Sequence, residues 1–189
     1  PAGEKTAMNG TWVEVPVYDL FDRLSLLRPS VPIIAEDLGL ITPDVREVMR
    51  HYDLPGMKVI QFAFGDDMRT NPYIPHNVEE HYIYYVGTHD NNTARGWYEN
   101  ETSQEDRNRI NRYLGHEVTA DTVHVALMRA VMMSRARTVV FQVQDLIGLG
   151  SEARMNVPSK NMNNWRWRCP EGALTQGHMD LLEIGRAHV

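Results

Sequence analysis

The segment 31–39, with the sequence VPIIAEDLG, constrains the fold of this chain more than any other stretch. Its apolar run is short and contains β-branched residues, so it predicts a buried strand rather than a helix. The run leads into two carboxylates, Glu36 and Asp37, and stops at Gly39. Barrel enzymes place catalytic groups at the carboxyl ends of such strands. The alternative is that these acids only cap or solvate the strand end.

The rest of the chain alternates between strand and helix signals. Apolar periodicity and capping residues predict helices over 17–27, 44–51, 103–114 and 119–137, and strands over 57–64, 82–87 and 138–143. Strands separated by helices pair in parallel through right-handed crossovers. We therefore expect an α/β fold, either half of an eight-stranded barrel or an open doubly wound sheet. No G-x-G-x-x-G fingerprint supports a nucleotide site.

Composition narrows the class of protein. The 189 residues are enough for one domain with a core, and a hydrophobic share of 42% argues against disorder. The net charge of −6 argues against nucleic acid or an anionic membrane as a partner. The single cysteine, Cys169, excludes an internal disulfide and fits a reducing, cytoplasmic compartment. Because the chain begins with Pro1 rather than Met, we expect a piece of a longer protein.

Acidic residues follow three of the predicted strands. They are Glu36 with Asp37, Asp66 with Asp67, and Asp90. The carboxyl ends of parallel strands share one rim of a barrel, so these groups are expected to converge there. Convergent carboxylates suit glycosyl transfer or hydrolysis, in which one acid protonates the leaving oxygen and an anion stabilises the transition state. Alternatively, the same oxygens bind a divalent cation, although the chain has no D-x-D-x-D-G loop.

Polar and aromatic residues near these acids suit a sugar ligand but also have structural interpretations. The sequence His89-Asp90-Asn91 either binds hydroxyl groups or forms a capping turn. Trp97, Trp165 and Trp167 either stack on sugar faces or pack in the core. No G-x-S-x-G motif indicates a serine nucleophile.

Several motifs together resemble the 4-α-glucanotransferases, a family also called amylomaltases or disproportionating enzymes. The matching stretches are IAEDLG (34–39), LPGMKV (54–59), QFAF (61–64), NPYIPHN (71–77), GTHDN (87–91) and SEARMNVP (151–158). The likeness also includes the loop 1–13 and extends to about Arg168. It implies a retaining enzyme that transfers α-1,4-glucan segments between malto-oligosaccharides, with no cofactor and no metal. The alternatives are an α-amylase-like glycoside hydrolase and a non-catalytic glucan-binding remnant.

The resemblance also implies a fold and roles for particular residues. Residues 1–168 would be the C-terminal half of a (β/α)₈ TIM barrel of the α-amylase type, strands five to eight, and 169–189 an irregular tail. The family's nucleophilic aspartate would precede residue 1, which leaves the chain inactive by itself. By motif, Glu36 corresponds to the general acid/base and Asp90 to the transition-state-stabilising aspartate. The implied sugar-binding residues are Asp66, His89 and Asn156, and the implied structural ones are Asp37, Thr88 and Asn91.

The chain departs from the family pattern at two turns and at its end. Ser159 follows Pro158 where the family has glycine, and Asn163 stands where the family has the glycine of Gly-Asn-Trp. Both changes bear on the local turn geometry. The segment 183–189, EIGRAHV, resembles the translation of a sequencing-adapter oligonucleotide, so we expect it to be non-native. The alternative is an ordinary divergent C-terminus.

Overall fold

The computed structural model describes residues 2–29 and 31–186, which fall into two compact units. One unit comprises Pro1–Ile33 with Leu40–Leu54, and the other Ile34–Gly39 with Pro55–Val189. The helices are α1 (Val17–Leu27), α2 (Pro43–His51), α3 (Ala94–Asn100), α4 (Gln104–Leu114), α5 (Val123–Met132), α6 (Val143–Leu146) and α7 (Gln176–Arg186). The strands are β1 (Gly56–Val59), β2 (Tyr82–Tyr85) and β3 (Thr138–Val140), and short 3₁₀ turns lie at Ala7–Asn9, Ile60–Phe62, Pro75–Asn77 and Ser151–Ala153.

The smaller unit contains α1 and α2, which confirm the predicted helices. Proline at the first position of α2 is tolerated because the first N–H of a helix has no partner within the helix. Tyr52, directly after α2, joins the two helices. Its hydroxyl donates to Asp22 Oδ1 at 2.7 Å and to the Tyr18 carbonyl at 3.0 Å, and its ring lies 5.0 Å from that of Phe21.

The larger unit is built on a three-stranded sheet in the order β1-β2-β3, and both pairings are parallel. This confirms the prediction from alternating strands and helices. Gly56 is in register with Tyr82, and Ile83 with Thr138. The crossover between β2 and β3 contains α3, α4 and α5. Parallel pairing therefore brings the carboxyl ends of all three strands to one edge of the sheet.

The hydrophobic core of this unit lies between the sheet and the crossover helices. Side chains from β2, from α5 and from the segments after β1 and β2 are fully buried there, among them Ile60, Tyr84, Val86, Val123, Leu127 and Val131. Each large apolar side chain buried in this way contributes about 1.5–3 kcal/mol to the transfer free energy from water. The core holds the sheet edge, and the loops that leave it, in place.

The strand predicted within 31–39 is wrong, because this segment has no regular strand structure. Its link to the sheet is a hydrogen bond of 2.8 Å from the Ala35 N–H to the Pro55 carbonyl. Pro32 and Pro55 have no N–H to donate, so a continuous ladder cannot form through them. The other three strands occur but are shorter than predicted, because the chain turns into Ile60–Phe62 after β1 and into α6 shortly after β3.

The predicted helices agree with the structure best where local capping is strong. The capping box predicted at the start of α4 is present, with reciprocal hydrogen bonds between Ser103 and Asp106, and Gly115 ends this helix at φ +76°. The helix predicted over 119–137 is shorter, Val123–Met132, and α3 was not predicted. The tail predicted to be irregular contains α7 over Gln176–Arg186. Residues 187–189 of the segment expected to be non-native lie outside the described residues.

Over residues 2–29 and 31–186, no helix has both the length and the apolar character needed to cross a membrane.

Candidate active site

Glu36 is positioned by its neighbour Asp37. The Asp37 carboxylate is buried, accepts a hydrogen bond of 2.7 Å from the Met57 N–H of β1, and lies 4.0 Å from Lys58 Nζ. Gly56 makes room for it, because a Cβ there would lie 2.6 Å from Asp37 Oδ1. These contacts attach the irregular segment to the sheet and leave the Glu36 side chain exposed. The sequence motif therefore combines a buried anchor with an accessible acid.

Asp90 lies in a hydrogen-bonded turn after β2. Asn91 Oδ1 accepts from both the N–H and the hydroxyl of Thr88 at 2.9 Å, and the Asp90 N–H donates to Thr88 Oγ1 at 3.3 Å. Asn156 donates from Nδ2 to Asp90 Oδ1 at 2.6 Å. The Asp90 side chain is nevertheless half exposed, so one face of its carboxylate remains open to a ligand.

His89 and Trp165 flank this carboxylate. His89 Nε2 lies 3.4 Å from Asp90 Oδ1, and the His89 ring lies 5.2 Å from the ring of Trp165. The backbone N–H of Asn156 donates to the His89 carbonyl at 3.1 Å. Trp165 is exposed, whereas Trp97 is buried in the core. Of these two tryptophans, Trp165 alone is accessible for stacking on a ligand.

Glu36 and Asp90 line the same cavity, which has a volume of about 900 Å³. His89 also lines it, and apolar and aromatic side chains form much of the wall, including Met57, Phe62, Tyr73 and Tyr85. Ligand sites commonly combine such walls with a few converging polar groups. The structure thus brings together two carboxyl groups that are separated along the chain, in a space large enough for sugar residues.

The remaining predicted site residues differ in their placement. His89 lines the cavity, whereas Asn156 is not among the lining residues but donates a hydrogen bond to Asp90, which is. Asp66 is not among the residues that line the cavity; its highly exposed carboxylate pairs with Arg109. Arg109 also pairs with Glu105 at 2.8 Å and Asp106 at 2.9 Å. A sugar-binding role for Asp66 stays a prediction.

One buried acid outside the cavity lining was not predicted as a functional or structural residue. Asp145, at the start of α6, is fully buried and accepts a hydrogen bond of 2.6 Å at Oδ1 from the Ala94 N–H of α3. Its Oδ2 has no hydrogen-bond partner among the described residues. Burial raises the pKa of Asp145 to about 7, and the Ala94 N–H opposes that shift. Thr93 caps the same helix end, accepting from Gly96 N–H at 3.0 Å. The sequence places Asp145 after a predicted strand, but no sequence pattern indicates its hydrogen bond to the Ala94 N–H of α3.

The described part of the chain contains no group of three or more His, Cys, Asp or Glu side chains arranged to hold a metal ion.

Comparisons with known proteins identify one family. The sequence profile of the 4-alpha-glucanotransferase family matches residues 1–175. The 4-alpha-glucanotransferase of Aquifex aeolicus is 47% identical over 171 residues, which cover 90% of this chain and 35% of the relative. That of Thermus thermophilus is 45% identical over 184 residues, covering 94% and 36%. The chain thus spans about a third of the length of these relatives.

A solved structure supports the same assignment. An amylomaltase from Streptococcus agalactiae, in complex with acarbose, matches with a TM-score of 0.88 and 31% sequence identity. The match covers 97% of this chain and 37% of that one. Because the family profile extends over residues 1–175, the chain belongs to the 4-alpha-glucanotransferase family.

Proposed function

We propose that the full-length protein containing this chain is a retaining 4-α-glucanotransferase that transfers α-1,4-glucan segments between malto-oligosaccharides. The observation that carries the proposal is that Glu36 and Asp90 line one cavity. Paired carboxyl groups in a cleft are what glycosyl transfer requires. Family membership, and the acarbose complex of the Streptococcus agalactiae amylomaltase, support a glucan as the substrate.

The proposal includes a fold for the whole enzyme. Residues 1–168 would supply strands five to eight of a (β/α)₈ barrel. In support, β1, β2 and β3 are parallel, and the turn with Asp90 follows the carboxyl end of β2. The segment with Glu36 contacts the chain at Pro55, directly before β1, where the preceding strand of such a barrel would lie. Catalytic groups of such barrels lie at this end.

The two carboxyl groups would have different roles. Glu36 would give its proton to the glycosidic oxygen as the bond to the leaving glucan breaks, while an aspartate upstream of residue 1, implied by the family resemblance, bonds to the anomeric carbon. Glu36, now a carboxylate, would then take the proton of an acceptor 4-hydroxyl whose oxygen displaces that aspartate. Asp90 would bind hydroxyls of the donor sugar and stabilise the positive charge that develops at the anomeric carbon.

The environments of the two groups suit these roles. Glu36 is exposed at the cavity, where it can exchange its proton with successive sugar oxygens. Asp90 is instead held by a hydrogen bond from Asn156 and lies beside His89, so its carboxylate has a fixed orientation at the cavity. Different surroundings for two carboxyl groups are the usual basis of their different tasks.

The test uses the full-length protein with maltotriose as both donor and acceptor. We expect glucose and longer malto-oligosaccharides with no net increase in reducing ends. Glu36→Gln and Asp90→Asn should abolish this disproportionation with the fold intact by circular dichroism. The matched control is Glu99→Gln on α3, an exposed glutamate outside the cavity lining, which should keep the parent rate.

Other products would identify the alternatives. A steady increase in reducing ends would identify an α-amylase-like hydrolase instead. Maltotriose binding without turnover would identify a non-catalytic glucan-binding protein. For the 189-residue chain by itself we expect no transfer, because by the family resemblance the nucleophilic aspartate would lie outside it. We place the full-length enzyme in the cytoplasm, which cell fractionation with an antibody to this chain would test.

A further inference from the structure

Arg154 connects the turn that contains Asp90 to the segment that contains Asn156. Its guanidinium donates from Nη2 to the Asp90 carbonyl at 2.7 Å and from Nε to the Asn156 carbonyl at 2.9 Å. The third nitrogen, Nη1, donates to Glu101 Oε1 at 3.1 Å. Three nitrogens thus bind three separate acceptors, and only the planar fork of arginine provides this geometry.

Further hydrogen bonds complete a bridge between the two segments. Asn156 donates from its backbone to the His89 carbonyl at 3.1 Å and from its side chain to Asp90 Oδ1 at 2.6 Å. Glu101 Oε1, besides pairing with Arg154, accepts from Asn92 Nδ2 at 2.9 Å. The position of the Asp90 carboxylate therefore depends on a network in which Arg154 contacts both sides.

We propose, on the basis of the function proposed above, that Arg154 is a positioning residue that sets the Asp90 carboxylate against the transition state by fixing Asp90 and Asn156 together. Arg154 is not among the residues lining the cavity, and its side chain is mostly buried. It acts through Asp90 rather than on the glucan. The main chain and the carboxylate of Asp90 are then held by separate donors, which prevents rotation of the side chain away from the sugar.

The expected consequence is a loss of turnover rather than of substrate binding. A shift of a reacting group by about 1 Å costs on the order of 10²-fold in rate. In the full-length protein, Arg154→Ala should lower kcat for maltotriose disproportionation by on the order of 10²-fold, with KM nearly unchanged. Arg154→Lys keeps the charge but supplies a single nitrogen, so it should also lower kcat.

Chemical rescue separates positioning from a general structural effect. Added guanidinium ion should restore part of the kcat of Arg154→Ala by occupying the vacated site, and should not restore Asp90→Asn. The matched control is Arg95→Met on α3, where the arginine forms surface ion pairs with Glu99 and Asp121. This variant should keep the parent kcat and show no response to guanidinium.

The outcomes distinguish the two proposals. Parent-like kcat in Arg154→Ala or in Arg154→Lys overturns the positioning role. So does a kcat loss in Arg154→Ala that guanidinium leaves unchanged. If Arg154→Ala does not fold, the kcat of Arg154→Lys tests the positioning role, with a lowered value supporting it and a parent-like value overturning it. Retained transfer in Glu36→Gln and Asp90→Asn would instead overturn the proposed function.

Discussion

Asn156 donates a hydrogen bond of 2.6 Å to the Asp90 carboxylate across 66 residues of sequence. The contact brings a loop near the end of the chain to the turn that follows β2. It leaves Asp90 half exposed at the cavity that Glu36 also lines. A residue identified by motif as sugar-binding is therefore also a direct partner of the proposed stabilising carboxylate.

Removal of this amide should reduce turnover. A hydrogen bond to a charged group contributes about 1.5–3 kcal/mol, so Asn156→Ala in the full-length protein should lower kcat about tenfold or more. Asn156→Asp should lower it further, because a second carboxylate repels Asp90. Steady-state disproportionation of maltotriose measures both. Asn108→Ala, at an exposed position of α4, is the control, because its side chain accepts a hydrogen bond from Gln104 of the same helix. Equal rates for parent and Asn156→Ala would contradict the role.

Gly56 should not tolerate a side chain. Since a Cβ at Gly56 would lie 2.6 Å from Asp37 Oδ1, Gly56→Ala overpacks the buried anchor and should destabilise the fold by about 1–3 kcal/mol. Thermal or urea unfolding of the full-length protein measures this. Gly65→Ala is the matched control, because its nearest neighbour, Asp67 Oδ1, would lie at an ordinary 3.5 Å. In an Asp37→Ala background, Gly56→Ala should lower the free energy of unfolding by less. An equal loss in both backgrounds would exclude the clash with Asp37 as its cause.

Two turns retain a glycine-like backbone without glycine. Ser159 and Asn163, which stand where the family resemblance implies glycine, have φ values of +69° and +66°. Ser159→Gly should stabilise the protein by about 0.5–1 kcal/mol. The left-handed conformation costs an L-residue about 1–2 kcal/mol, which glycine avoids. Part of this gain is lost because glycine has more backbone entropy in the unfolded state. Asn163→Gly should gain less, since asparagine tolerates this region. Equilibrium unfolding measures both, and a destabilised Ser159→Gly would contradict this account.

Asp145 should make stability depend on pH. Its pKa is about 7 in the folded protein, against an ordinary value of 3.8, so the folded state binds more protons than the unfolded state between those values. The favourable contribution of protonated Asp145 is complete below pH 3.8 and is lost as pH rises towards 7. Asp145→Asn should remove this dependence. The free energy of unfolding of Asp145→Asn, relative to that of the parent, should therefore increase with pH between 3.8 and about 7.

Urea unfolding of the parent and of Asp145→Asn at several pH values provides the measurement, and the difference between them isolates this group. The matched control is Asp121→Asn, a highly exposed aspartate paired with Arg95. A difference between parent and Asp145→Asn that stays constant between pH 4 and 7 would contradict the shifted pKa.

Local signals predicted the helices of the smaller unit and the start of α4. Pro43 and the Ser103–Asp106 capping box act within one helical turn, so their sequence is sufficient to place them. The start of α3 was missed although Thr93 caps it locally, because Gly96 weakens the helix signal of this short segment and the contact from Asp145, 51 residues further along, is not visible in the sequence. The strand within 31–39 was predicted wrongly because a strand needs a ladder of hydrogen-bonded partners, and prolines remove donors from this segment.

The sequence by itself determined the family, the parallel order of the strands and the two acids expected at one rim, because motifs, periodicity and turn residues are properties of neighbouring positions. The tertiary structure alone decided that Asn156 and Arg154 hold Asp90, that Asp37 is a buried anchor for Glu36, and that Asp66 pairs with Arg109 outside the cavity lining. These contacts join residues far apart in the chain. Only the packing of the sheet and its crossover helices brings such residues within hydrogen-bonding distance.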